Sequence, residues 1–212
     1  MSTKMDPEIA KLAVVVAFLT GGFALALLIL RNKGRRRAER LGAAFELGTP
    51  RPAGVLGSAL DGLYRGYSCR YLIQYASQYD RGGASLRFAV SSPHQWKAEV
   101  SKTATRMLAR FGLLKDFDIG DRELDDHLRF AADEEGSLRA LFGTEAVLNA
   151  MHIIAASENF ESVHVRPERV DVRWSPRMPR LDEDPEALRA RLELVTALVV
   201  ACGYAPAHPS TQ

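Results

Sequence analysis

From Leu12 to Leu30 the chain reads LAVVVAFLTGGFALALLIL, an uncharged run in which Thr20 is the one polar side chain. At about 1.5 Å per residue a helix of this length spans roughly 28 Å, close to the ~30 Å hydrocarbon core of a bilayer. The pattern predicts a transmembrane helix over 12–30, which would satisfy its own backbone polar groups. Gly22 and Ala26 form a small-xxx-small pair of the kind that lets two helices approach closely. Further along, the period becomes two. In Tyr67 to Tyr75 the set Tyr67, Cys69, Tyr71, Ile73 and Tyr75 shares one face, and Ser68, Arg70 and Gln74 take the other. The segment YDRGGAS supplies a turn, and Leu86, Phe88 and Val90 alternate after it, so a β-hairpin is predicted here.

Further strands are predicted near Trp96–Val100, near Phe117–Ile119 and at Leu128–Ala131. A second hairpin pairs ESVHV with VDVRW across Pro167-Glu168-Arg169. Two helices stand out. One opens at Thr144 and aligns Val147, Leu148, Met151, Ile154 and Ala155. The other opens on Asp184 and Pro185, aligns Leu188, Leu192, Val195, Val199 and Cys202, and ends at Gly203. A shorter helix around Ser137–Phe142 stops at Gly143. The predicted architecture is α+β: an N-terminal transmembrane helix, then an antiparallel-sheet domain packed by two to three helices. The domains are a short extracytoplasmic segment 1–11, the transmembrane helix 12–30 and a basic juxtamembrane segment with linker 31–57. A cytoplasmic domain 58–205 and a disordered tail 206–212 follow.

Charge refines this picture. The chain carries a net +2, but Arg31, Lys33, Arg35, Arg36, Arg37 and Arg40 crowd into ten residues, which leaves residues 41–212 mildly acidic. That balance argues against a phosphate-tracking face and against nucleic acid as a partner. The basic cluster follows the apolar run, so the positive-inside rule places the domain in the cytoplasm of a bacterial inner-membrane, single-pass protein with its N-terminus outside. The same six residues are the expected membrane-surface contacts, facing the bilayer and its anionic lipid headgroups. A cleaved signal peptide would carry its basic residues before the apolar run. Cys69 and Cys202 form no C-x-x-C pair and read as buried, reduced thiols; a disulfide between them stays open.

The densest chemistry is in IGDRELDDHLRF, where Asp121, Glu123, Asp125, Asp126 and His127 lie close together. One reading is a metal or acid/base site using Asp121, Asp125 and His127, since a helical turn brings i and i+4 side chains together. The other is a turn: Gly120-Asp121 caps a short helix, Leu124 and Leu128 point inward, and the charges face water. His94, His152, His164 and His208 are scattered, and no HExxH, Walker loop, GxGxxG or GxSxG is present. The trio Ser101, Lys102 and Thr103 is an ordinary surface combination. Tyr64, Tyr67, Tyr71, Tyr75 and Tyr79 read as half-packed strand residues or as a binding face.

GDRELDDHLRF followed by EEGSLRALFGTEAVLNAM resembles a pattern in uncharacterised bacterial membrane-anchored proteins, in which a Gly-Asp-x-x-Phe-Asp-x-x-Phe turn leads into a strand, two helices and a hairpin. The resemblance covers about residues 60–175, with Leu124 and Leu128 where the aromatics would stand. It implies an α+β domain with no established active site and favours the structural reading of the turn. The sequence expectation is therefore a membrane-anchored interaction or scaffold module that binds a partner protein or itself, with no cofactor or metal. The alternative is a membrane-tethered metal-dependent hydrolase built on Asp121, Asp125 and His127.

Overall fold

The computed structural model describes residues 20–26, 28–29, 32–33, 35–36, 39–52, 57–74, 82–101, 116–175, 178–182 and 184–207. Its strands are β1 (Leu47–Pro52), β2 (Gly57–Tyr64), β3 (Tyr67–Gln74), β4 (Gly83–Ser91), β5 (Trp96–Val100), β6 (Leu128–Ala132), β7 (Phe160–Arg166), β8 (Arg169–Trp174) and β9 (Ala205–Pro206). Its helices are α1 (Arg122–His127), α2 (Glu135–Phe142), α3 (Glu145–Ala155), α4 (Pro179–Asp182) and α5 (Pro185–Ala201).

The strands form one sheet in the order β1-β2-β3-β4-β8-β7-β5-β6, with β9 on the end of β4. Every pairing is antiparallel. The first four strands form a meander. The late hairpin β7–β8 is then inserted between β4 and β5, so the centre of the sheet is built from segments distant in sequence. Period-two alternation sends Tyr71, Ile73, Leu86, Phe88, Val163, Val165, Val170, Val172 and Trp174 to one face, where they are buried. Val147, Met151 and Ile154 of α3 and Leu188, Leu192, Val195 and Val199 of α5 belong to the same core cluster. The helices thus cover one face of the sheet. Gly83 is required by close packing: a Cβ there would lie 2.7 Å from the Trp174 backbone carbonyl oxygen.

One buried ion pair joins the layers. Arg191 on α5 donates to Asp182 on α4 at 2.8 Å and to the Tyr71 hydroxyl at 3.2 Å. Its guanidinium lies 4.8 Å from the Trp174 ring centroid. Asp182 is 1% exposed and also accepts from the Met178 backbone N–H. Tyr204 fastens the far end of α5, accepting from Trp96 Nε1 at its hydroxyl and from the Tyr67 hydroxyl at its carbonyl.

Four expectations need correction. The membrane-crossing helix over 12–30 is not supported, because among the described residues no helix is long and apolar enough to cross a membrane. Residues 12–19 lie outside the described set. The described helical residues 20–26 and 28–29 are fewer than the ~20 apolar residues a span requires, and the cations Lys33, Arg35, Arg36 and Arg40 follow them. The single-pass topology, the N-out orientation and the inner-membrane and cytoplasmic placement rested on that helix and lose their support with it. Second, the region read as a linker contains a strand, β1, hydrogen-bonded along β2. Its Pro50 and Pro52 lack backbone donors, which suits an edge strand and blunts it as a template for further pairing. Third, Phe117 to Ile119 is not a strand, although the Phe117 N–H does donate to the Phe130 carbonyl on β6. Fourth, Pro206, where the tail was expected to begin, pairs with β4 beside Ala205; residues 208–212 lie outside the described set.

Both cysteines are free thiols, with Cys69 buried and Cys202 half-buried. Burial pushes the Cys69 thiol well above its ordinary value and the Cys202 thiol to about 12, so neither is an activated nucleophile.

Candidate functional site

The acidic turn is held together by its own backbone. Asp121 caps α1, its Oδ1 accepting from the Leu124 N–H at 2.9 Å. Asp125 accepts from the N–H groups of Ile119 and Gly120, both at 3.1 Å. Asp118 accepts from the Gly120 N–H at 2.8 Å, and Asp116 from the Phe130 N–H at 3.1 Å. Gly120 has φ +86, a conformation a side chain would strain. Leu124 and Leu128 turn inward and are buried.

The sequence-predicted trio is not brought together. His127 is exposed and turns Nδ1 to the Glu123 carbonyl at 2.8 Å. Asp121 instead meets His152 of α3, Oδ2 to Nε2 at 3.0 Å, and Glu123 stands 3.9 Å from the other imidazole nitrogen. His152 pins the turn to the helical layer, a contact that sequence spacing could not reveal. Among the described residues no group of three or more His, Cys, Asp or Glu side chains is placed to hold a metal ion.

Asp118 and Asp125 shift each other's titration in opposite directions. Partial burial and the neighbouring Asp118 carboxyl raise Asp125 to about 6, while hydrogen bonds from Asp125 and the Gly120 N–H lower Asp118. Asp125 is raised in the folded chain, so its contribution to stability is greatest below its unfolded value near ~4 and is lost as pH rises through about 6. Asp118→Asn should bring the Asp125 midpoint down from about 6 while leaving the part of the shift caused by burial. Carboxyl-carbon NMR titration checks this, and an unchanged midpoint would show that the two groups do not share a proton.

The larger feature is the sheet face turned away from the helices. At one level of the register, Asp61 lies opposite Arg70, Arg70 opposite Arg87, Arg87 opposite Asp171, Asp171 opposite His164, and His164 opposite Lys97. A row of ionisable side chains therefore crosses β2, β3, β4, β8, β7 and β5. Arg70 pairs with Asp61 and Arg87 with Asp171. Asp171 is shared with Arg169 at 2.9 Å, and Glu99 is shared between Lys97 at 2.6 Å and Arg129 at 3.0 Å. Arg173 pairs with Glu161. Arg166 is exposed and has no carboxylate within ion-pair distance among the described residues. Among the described residues, cations thus outnumber anions on this face, although residues 41–212 as a whole are acidic.

The face carries a cleft of about 240 Å³ at its β5–β7 end, lined by Gln95, Trp96, Lys97, Ala131, Ala132, Asp133, His164, Val165 and Arg166. A neighbouring cleft of about 300 Å³ shares Gln95, Trp96, Ala132 and Asp133 and continues past His94 toward Ser137 and Leu138. The acidic turn lines neither. Of the expected basic surface contacts, Arg31 and Arg37 lie outside the described residues. Lys33, Arg35, Arg36 and Arg40 are exposed, with Arg35 paired to Glu39 at 2.9 Å.

Compared with known proteins, the chain matches no family model and no curated protein. It is similar to the crystal structure of the mycobacterial trehalose monomycolate transport factor A, TtfA, at 14% sequence identity and a TM-score of 0.40, over 78% of this chain and 95% of that one.

Proposed function

We propose that this domain is an interaction module whose outward sheet face receives an acidic segment of a partner protein. The observation that carries the reading is the cation excess on that face, above all the sharing of Asp171 by Arg87 and Arg169 and of Glu99 by Lys97 and Arg129. A carboxylate held between two guanidinium or ammonium groups leaves one positive charge per cluster uncompensated. Such a face attracts polyanionic segments over about a Debye length and orients them by charge complementarity. The strands supply a rigid platform, and the side chains alternate at fixed spacing along it.

A fluorescently labelled octaglutamate peptide titrated into the full chain tests the reading. Anisotropy should show saturable binding that weakens as ionic strength rises. Arg87→Gln with Arg169→Gln should weaken it by up to about thirtyfold, since exposed charge contacts contribute at most ~1 kcal/mol each. A wild-type chain that does not bind the peptide at low salt would refute the proposal.

A further inference from the structure

We propose that the cleft between Lys97, His164 and Arg166 is the anchor point for a single carboxylate side chain of the partner segment. This rests on the reading of the face as a receptor for acidic polypeptide and names where on it the contact is made. The cleft exists because β6 places a small side chain opposite a long one: Ala131 faces Lys97 across the register. Its volume of about 240 Å³ equals that of roughly eight liquid waters, enough for a carboxylate and its stem. Three basic groups from two adjacent strands converge there, with Lys97 opposite His164 and Arg166 two residues beyond it on the same side of β7. Lys97 and His164 are held in place rather than free in solvent, at 35% and 33% side-chain exposure.

The charges around His164 come from every strand that packs against it. Lys97 and Glu99 stand on β5, Arg166 on β7, Arg169 and Asp171 on β8, and Asp133 at the end of β6 on the cleft rim. Glu99 is committed to Lys97 and Arg129 and reaches His164 at 4.0 Å. Asp171 is committed to Arg87 and Arg169. Arg166 is the cation on the cleft that lacks such a partner among the described residues. Burial, Lys97 and Arg166 together hold the imidazole below its ordinary titration range. A carboxylate arriving beside it reverses the local balance, so His164 takes up a proton from solvent as the ligand seats. Binding then weakens as pH rises through the midpoint of the occupied site.

The test is an NMR titration of the His164 ring Cε1–H in the full chain, with N-acetylated, C-amidated hexaglutamate as probe. The His164 midpoint should rise by about one unit at saturation. Hexaglutamine should leave it unchanged. Lys97→Gln with Arg166→Gln should weaken hexaglutamate binding at least tenfold, and Arg70→Gln, on the far side of the row, should weaken it less than threefold. Binding that leaves His164 unmoved, or that survives the double substitution within twofold, would overturn the cleft and leave the broader face reading standing. Free glutarate that moves His164 at the same concentration as the peptide would overturn the polypeptide as occupant. No hexaglutamate binding by the wild type would overturn both.

Discussion

Asp182→Ala should destabilise the fold by about 3–5 kcal/mol, the cost of leaving a buried charge without its counter-ion. Asp182 is 1% exposed, and the Arg191 side chain opposite it is 8% exposed. Without the carboxylate, the guanidinium retains, among the described residues, the Tyr71 hydroxyl and the Trp174 ring. Neither neutralises it. The Met178 N–H loses its acceptor as well. The double substitution Asp182→Ala with Arg191→Met should recover most of the loss, because it removes the stranded charge and keeps the volume of the side chain. Urea unfolding of the wild type and the two variants decides the matter. A single-variant loss under ~1 kcal/mol would show that water reaches the pair and replaces the carboxylate.

Phe142→Ala should cost a similar amount, about 3–5 kcal/mol, through a different cause. Phe142 is buried at the end of α2, its ring edge-on to Trp96 at 5.3 Å and to Phe130 at 5.2 Å between centroids. It joins α2 to β5 and β6. Its removal forfeits apolar burial, two aromatic contacts of about 0.5–1.5 kcal/mol each, and the packing of a void that two rigid rings cannot close. Phe142→Leu should retain more than half of the lost stability. If both variants unfold at the wild-type midpoint, α2 does not seal that end of the sheet.

Much of the antiparallel domain was legible from periodicity. Tyr67, Cys69, Tyr71 and Ile73 and their partners Leu86 and Phe88 signal the β3–β4 pairing because one face is apolar and the other is not. Asp184 and Pro185 mark the start of α5, and the Asp184 side chain does accept from the Glu186 N–H. Strand β2 escaped notice because Gly57, Gly62 and Asp61 dilute its alternation. Strand β1 was hidden by glycine and proline that mark linkers as readily as edges. The apolar run 12–30 misled for a different reason: hydropathy alone specifies how a segment would behave in lipid, and among the described residues no helix is long and apolar enough to cross a membrane. For the site, the sequence showed the crowding of carboxylates but not their use: Asp125 accepts from backbone N–H groups placed by the turn, and Asp121 is divided between the Leu124 N–H and the distant His152. The cationic face was invisible for a simpler cause. Arg70, Arg87, Lys97 and Asp171 are far apart along the chain, and only strand register places them in one row.

The insertion of β7–β8 between β4 and β5 also dictates the order in which the molecule can become complete. During synthesis the meander and the β5 strand emerge first, each with an unsealed inner flank, and neither can close until residue 174 has left the ribosome. Closure over so long a stretch of chain is entropically slow. Nascent chains stalled near residue 158 should therefore be sticky and dependent on chaperones, whereas those released after residue 204 have both the central wedge and its Tyr204 clasp.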